Sequence, residues 1–294
     1  MKATLFANAI SGRGEGVAIA ERLAACLIES GWAVGISLEH PDSLKDEIFN
    51  DCPDAMIIVG GDGTLRTVLN RAVKTLNQLP PVLFVPLGTA NLMSRHLKLR
   101  WNPQTLPEQA LKLLKNRNIR EIDAAICNDQ LFLLMTTVGI DAEVVHQLTK
   151  TRVGPIKKSS YISPAWGALW SFRQPVMNVE VDGYRVVENQ RVFTFVANVR
   201  EYGMGIPIAN EAISDDGLLD ICIFPASNQL NLLQMSLSAV VTLPTLFPGS
   251  MYLRGRDIRI ESAEPAPVQI DGDAGGFTPL KIGLLPFRVP FIVP

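Results

Sequence analysis

The chain has 294 residues, enough for two domains that each bury a sizeable core. With 27 Lys and Arg against 29 Asp and Glu, the formal charge of −2 argues against a nucleic-acid partner and against strong attraction to an anionic membrane. Cys26, Cys52, Cys127 and Cys222 are far apart, form no metal or redox spacing, and read as buried free thiols in a reducing compartment.

The N-terminus runs straight into a strand, Ala3 to Asn8, with no apolar leader ahead of it, so no secretory signal is expected. Asn8-Ala9-Ile10-Ser11-Gly12 follows, then a helix from Gly16 to Ser30 that Gly31 stops. Ala33 to Leu38 reads as a second strand, and Ser43 as the cap of a short helix reaching Asn50. Ala55 to Val59 is a short apolar run that fits a buried central strand. Gly60-Gly61-Asp62-Gly63-Thr64 breaks it. From there Leu65, Val68, Leu69, Ala72, Val73 and Leu76 mark one face of a helix.

Strand, glycine-rich turn and helix in that order bring backbone N–H groups and a helix N-terminus to one point, where an anion can bind. A Cβ in such a turn would block the approach of a phosphate. The alternative is a tight β–α turn with no ligand, but the carboxylate of Asp62 suggests a metal or ribose partner as well. Val82 to Pro86 is the next strand, and Leu87-Gly88-Thr89-Ala90-Asn91 opens a short helix through Leu97. This alternation predicts a doubly wound parallel sheet with ligands at the carboxyl ends of the strands.

After a helix over Pro107 to Lys115 the composition changes. Glu121–Cys127 and Gln130–Thr136 flank Asn128-Asp129, and Met177–Val181 and Tyr184–Val187 flank Asp182-Gly183, two hairpin signals. Arg191–Asn198, Leu219–Phe224, Asp257–Glu261 and Val268–Asp271 add short strands, which predicts an antiparallel sandwich or flattened barrel. Ile221 to Leu253 carries no formal charge, but polar residues and prolines interrupt it. A buried helix over about Leu230–Leu243 is expected there rather than a membrane span. Asp141 reads as the cap of a helix rather than as a catalytic group, and His146, three residues beyond Glu143, as a surface helical histidine rather than half of a metal pair, since no third ligand is near it. Lys157 and Lys158 read either as an exposed basic helix end or as contacts for phosphates or lipid headgroups.

Gly60–Thr64 resembles the nucleotide-binding signature of the diacylglycerol kinase catalytic superfamily, which includes bacterial lipid kinases, sphingosine kinases and, more distantly, NAD kinases and 6-phosphofructokinases. Asn8–Gly12 is similar to that family's Asn-Pro-x-Ser-Gly, with Ala9 for proline, and Leu87–Asn91 to its Gly-Thr-x-Asn loop. Val138–Val144 resembles Gly-Phe-Asp-Ala-x-Val, while Tyr202–Gly205 resembles Tyr-Gly-Gly-Gly. Ala209–Asp220 resembles Pro-x-Ala-x-x-Asp-Asp-Gly-x-Leu-Asp, and Ile270–Asp273 the closing Asp-Gly-Glu.

The resemblance implies an N-terminal NAD kinase-like α/β domain over 1–122, completed by 287–294, and a C-terminal antiparallel β-sandwich over 123–286, with a cleft between them. It implies an ATP-dependent lipid kinase whose leading acceptor is diacylglycerol. ATP would be held by Asn8, Ser11, Gly12, Gly60, Gly61, Asp62, Gly63, Thr64, Gly88, Thr89 and Asn91. Asp62 would position the catalytic Mg²⁺ through water. Asp273 stands where the family has glutamate and would accept the proton of the lipid hydroxyl. Being one methylene shorter, it requires a tighter cleft or help from Asp271. A further Mg²⁺ is implied at Asp216 and the carbonyls of Ile213 and Leu218.

The departures are Arg66 and Thr67 for Asn-Glu, Leu92 for aspartate, and Leu38 where some relatives use threonine. The implied setting is cytoplasmic and peripheral at a membrane that supplies the lipid, with no transmembrane segment and with homodimerisation left open. The competing readings are an NAD kinase-like enzyme, whose Gly-x-Leu-Gly-Phe pattern is absent, and a non-catalytic nucleotide- or lipid-binding relative.

Overall fold

The computed structural model describes residues 1–9, 11–49, 52–76, 78–151, 173–202, 206–227 and 247–294. The helix expected over Leu230–Leu243, the pair Lys157 and Lys158, and Gly203-Met204-Gly205 lie outside the described residues. Contacts divide the chain into two compact units, 1–122 with 287–294, and 123–286.

The first unit comprises Lys2–Ala7 (β1), Gly16–Glu29 (α1), Ala33–Ser37 (β2), Ala55–Gly60 (β3), Asp62–Thr75 (α2), Val82–Pro86 (β4), Leu92–His96 (α3), Leu106–Asn116 (α4) and Ile119–Ile122 (β5). The sheet runs β2-β1-β3-β4, then the C-terminal strand Val289–Ile292, then β5. β1 to β4 are parallel, and the C-terminal strand is parallel to β4 and antiparallel to β5. Successive side chains of a strand point to opposite faces. Ala3, Leu5, Ile57, Val59, Leu83 and Val85 therefore share one core with Ala20, Leu23 and Leu27 of α1 and Ala110 and Leu114 of α4. Phe6 stacks on Phe49, with ring centroids 5.4 Å apart. All six residues of β3 are buried, as expected of a strand covered on both sides. α1 ends where Gly31 takes φ +84°.

Ser43 does not cap a helix. Residues 41–43 and 46–49 form two short 3₁₀ turns, and Ser43 closes the first. Leu44 then adopts an extended ψ of 134°, which stops any continuation.

The second unit comprises Ala125–Cys127 (β6), Gln130–Phe132 (β7), Met135–Val138 (β8), Ile140–Thr151 (α5), Val176–Val181 (β9), Tyr184–Ala197 (β10), Glu201–Tyr202 (β11) and Ile206–Pro207 (β12). Leu219–Pro225 (β13), Met251–Gly255 (β14), Asp257–Ser262 (β15), Pro267–Ile270 (β16), Asp273–Phe277 (β17) and Leu280–Leu284 (β18) complete it. Two antiparallel arrays share β10: β10-β9-β15-β18-β6-β7, and β17-β16-β8-β10 with β13 and β14 beyond. Met177, Val179, Ile258 and Ile282 of the first array pack in one core with Val196, Ile221, Val268 and Ile270 of the second.

Tyr184–Val187 and Arg191–Asn198 are thus largely one long strand. Its ladder with β9 shifts register after Arg185 and again after Val187, and the exposed stretch 188–191 hides the continuity in the sequence. The Asn128-Asp129 turn joins only β6 to β7, since Glu121 belongs to the first sheet and Met135 opens β8 in the other array.

All four cysteines are free. Cys127 and Cys222 are buried, which pushes both thiols up to about 12, but Cys26 is half-buried and Cys52 is exposed. The expectation of four buried thiols therefore fails at Cys26 and Cys52. No helix among the described residues is long and apolar enough to cross a membrane.

Candidate functional site

Parallel β1, β3 and β4 bring three loops to one sheet edge, and the loops are tied to one another. The Asn8 N–H donates to the Val59 carbonyl at 3.3 Å, and the Leu87 N–H to the Gly60 carbonyl at 2.7 Å. Gly61 and Gly88 approach so closely that a Cβ built on Gly88 would lie 2.8 Å from Gly61 Cα. A Cβ on Gly60 would lie 2.6 Å from Thr64 Cβ. Thr64 is buried, and its hydroxyl accepts from Asn8 Nδ2 at 3.4 Å, so it braces the turn from within. Asn91, in the left-handed conformation at φ +49°, brackets Gly88. Its Oδ1 accepts from the Gly88 N–H at 2.9 Å and its Nδ2 donates to the Gly88 carbonyl at 2.8 Å.

Asp62 opens α2, and its carboxylate accepts the N–H groups of Leu92 at 2.9 Å and Met93 at 3.1 Å. It therefore fixes the start of α3 beside the glycine turn. Leu92 keeps this contact because its backbone makes it, whatever the side chain. The N-cap residue of α2, Gly61, makes no side-chain cap hydrogen bond, and a helix N-terminus is a place where an anion can bind. Ser11 and Gly12 fall in a 3₁₀ turn after β1, and the Ser11 N–H donates to the Asn8 carbonyl at 3.0 Å. Thr89 is exposed between Gly88 and Asn91. Leu38 is also exposed and has no polar group to offer a nucleotide.

In the second unit Asp273 is half-buried at the start of β17, paired with Ile270 across a turn whose residues Asp271 and Gly272 take φ +49° and +89°. The Asp271 side chain, the expected helper of Asp273, is engaged with the backbone. Its carboxylate accepts three backbone N–H groups, from Leu133, Leu134 and Met135, each at 2.9 Å. Buried Gln269 accepts the Gly272 N–H at 2.7 Å. Asp273 thus sits on a turn locked from two sides.

Asp141 does not cap α5. Its carboxylate accepts from Thr137 Oγ1 at 2.8 Å, from the Tyr202 hydroxyl, and from Gln269 Nε2 at 3.4 Å, tying the helix to β8, β11 and β16. Burial lifts this carboxyl above the ordinary aspartate range, opposed by those three hydrogen bonds. His146 is not on the surface either: it is buried, with Nε2 2.8 Å from the Val268 carbonyl and its ring edge-on to Phe277.

The Asp215-Asp216-Gly217 turn is pinned by residues the motifs do not include. Buried Asp123 accepts the Gly217 N–H at 2.7 Å and donates its own N–H to the Ser214 carbonyl at 2.7 Å. Arg256 Nε donates to the Gly217 carbonyl at 3.0 Å. One Asp216 oxygen accepts the Leu218 N–H at 3.1 Å and the other is paired with the Arg254 guanidinium. Of the donors implied for a divalent cation here, the Asp216 carboxylate, the one charged ligand, is already paired with a cation of the chain, which argues against a resident Mg²⁺. A charged Asp123 inside an apolar stretch was the available signal for the first of these residues. For Arg254 it was the return of charge after a long uncharged run.

The diacylglycerol kinase catalytic domain matches residues 2–127, and the YegS C-terminal NAD kinase beta sandwich-like domain matches residues 135–293. A "Probable lipid kinase YegS-like" of Pseudomonas fluorescens is 28% identical over 83% of this chain and 79% of its own length. The "Diacylglycerol kinase" of Bacillus subtilis is 23% identical over 77% and 73%. An uncharacterized Synechocystis protein is 27% identical over 82% of this chain, which spans only 55% of that relative. The crystal structure of a diacylglycerol kinase from Bacillus anthracis str. Sterne superposes with a TM-score of 0.74 at 24% identity, covering 100% of this chain and 97% of that one, a likeness of fold. The unit with the parallel sheet and its tied glycine loops and the unit with the β-sandwich are each matched over most of their length: the chain belongs to the lipid kinase family that joins a diacylglycerol kinase catalytic domain to a YegS-type sandwich.

Proposed function

We propose that the chain transfers the γ-phosphate of ATP to a lipid hydroxyl, with diacylglycerol as the leading acceptor and phosphatidic acid as the product. The observation that carries this reading is the mutual bracing of the three loops at one sheet edge, with Gly61 and Gly88 in backbone contact and α2 uncapped beside them. Phosphoryl transfer asks mainly for positioning and charge stabilisation. The α2 N–H groups and the glycine turn take the phosphates of Mg²⁺·ATP, the substrate form, and Asn8, Ser11, Gly12, Thr89 and Asn91 form the rim. The two Asp62 oxygens, besides holding α3, orient water on the substrate's metal.

Asp273 is assigned as general base. Its carboxylate takes the hydroxyl proton as the lipid oxygen bonds to the γ-phosphorus, and the bond to the β-phosphate oxygen breaks to release ADP. Because ATP and a membrane lipid must meet, the enzyme works in the cytoplasm at a membrane surface.

The test supplies radiolabelled ATP with vesicles carrying diacylglycerol, sphingosine or phosphatidylglycerol, and with NAD in a separate reaction. Label in phosphatidic acid is expected. Label in NAD alone contradicts the proposal, and ATP binding without label in any acceptor assigns the chain to the non-catalytic reading.

A further inference from the structure

The Asp-Asp-Gly turn, where the family resemblance implies Mg²⁺, is built around Arg254. β13 and β14 pair so that Asp220 stands directly opposite Arg254, and Cys222 opposite Tyr252. Residues two apart on a strand share a face, so Tyr252 and Arg254 reach the same side. The Asp220 side chain is 1% exposed, that of Asp216 22% and that of Arg254 34%. Arg254 Nη2 is paired with Asp216 Oδ2, and Nε lies 3.5 Å from Asp220 Oδ1. The Tyr252 hydroxyl donates to that same Asp220 oxygen at 2.6 Å, while Asp220 Oδ2 is buried with no hydrogen-bond partner.

Asp216 and Asp220 both reach Arg254, and a cation beside them offsets the cost of keeping the buried Asp220 carboxyl charged, which burial otherwise pushes up in pKa. A guanidinium suits the task because it stays charged and presents its donors in a planar fork. Arg256, two residues on, holds the Gly217 carbonyl, so the backbone of the turn is claimed by the same segment.

We infer that Arg254 is the built-in counter-cation of this turn, replacing a bound divalent metal, and that the second unit keeps its fold without Mg²⁺. The inference concerns the stability of the turn and stands whether or not the chain transfers phosphate to a lipid. It predicts one site with two exclusive occupants, the guanidinium in the native chain and a metal only when the guanidinium is removed.

The experiment is thermal unfolding of the full-length chain without nucleotide, in EDTA and across a Mg²⁺ titration, with NaCl holding ionic strength constant. Wild-type Tm is expected to be the same in both. Arg254→Ala is expected to unfold about 5–10 °C lower in EDTA and to recover much of that loss as Mg²⁺ saturates the exposed carboxylates. If Arg254→Ala does not fold, Arg254→Lys, which keeps the charge but not the fork, is expected to show a smaller loss and a smaller Mg²⁺ recovery. A saturable Mg²⁺-dependent rise in wild-type Tm that disappears in Asp216→Asn would overturn the inference, because metal would then hold the turn despite Arg254. An Arg254→Ala protein with wild-type Tm and no Mg²⁺ response would overturn it equally.

Discussion

Gly88 shows how little room the glycine loops leave. An added methyl would lie 2.7 Å from Asn91 Oδ1 and 2.8 Å from Gly61 Cα, and the second of these is backbone that cannot swing aside. Gly88→Ala is predicted to weaken ATP binding about tenfold, from a strain of the order of 1–3 kcal/mol, as measured by titration with a fluorescent analogue. Asp271 acts through its three backbone hydrogen bonds. Asp271→Ala orphans those N–H groups and should cost about 3 kcal/mol, read from urea unfolding. Asp141 gives a pH signature. Its folded-state carboxyl is raised by burial, so the folded chain holds the proton after the unfolded chain, titrating near pH 4, has lost it. The stability tied to that proton is complete below about pH 4 and falls as pH rises through the window above it. Asp141→Asn, neutral throughout, is therefore predicted to gain on wild type in Tm as pH rises from about 4 to about 8. A difference that stays constant with pH would refute this.

Among the elements, those with a strong period or a glycine stop were legible in the sequence. Val82–Pro86 coincides with β4, and the helix that the sequence predicts over Gly16–Ser30 ends at Glu29, one residue earlier, because Gly31 can take the left-handed conformation that closes it. The Asp182-Gly183 turn was legible for the same reason, since both residues have positive φ, at +49° and +82°. Gly183→Ala should cost about 1 kcal/mol there, seen as a lower urea midpoint. What escaped was set by partners distant in sequence. β17, Asp273–Phe277, is held by pairing with β16 and contains two glycines, so it carries no alternating pattern of its own. His146 looked like a surface residue because its burial comes from Val268 and Phe277, more than a hundred residues away. In the candidate site the glycine loops were readable as motifs. The groups that brace the acidic turns, Asp123, Gln269 and Arg254, belong to no motif; Asp123 and Arg254 stand out in sequence only as charges next to uncharged stretches, and what each of the three holds emerges only from the fold.

At the scale of the whole molecule, the chain closes its first sheet with its last residues. The strand Val289–Ile292 lies between β4 and β5, with Val289, Phe291 and Ile292 buried. Removing residues 287–294 is predicted to abolish ATP binding by opening the sheet beside β4, monitored by the same fluorescent titration, and retained affinity would show that the loops do not depend on it. The central claim is the division of labour between nucleotide loops at the ends of β1, β3 and β4 and an acceptor base at Asp273. It is tested most directly by measuring kcat for diacylglycerol phosphorylation and Kd for ATP in Asp273→Asn and Asp273→Glu beside wild type. The account predicts a loss of about 10²–10⁴-fold in kcat for Asp273→Asn with unchanged Kd, and substantial activity in Asp273→Glu. Wild-type turnover in Asp273→Asn would contradict it.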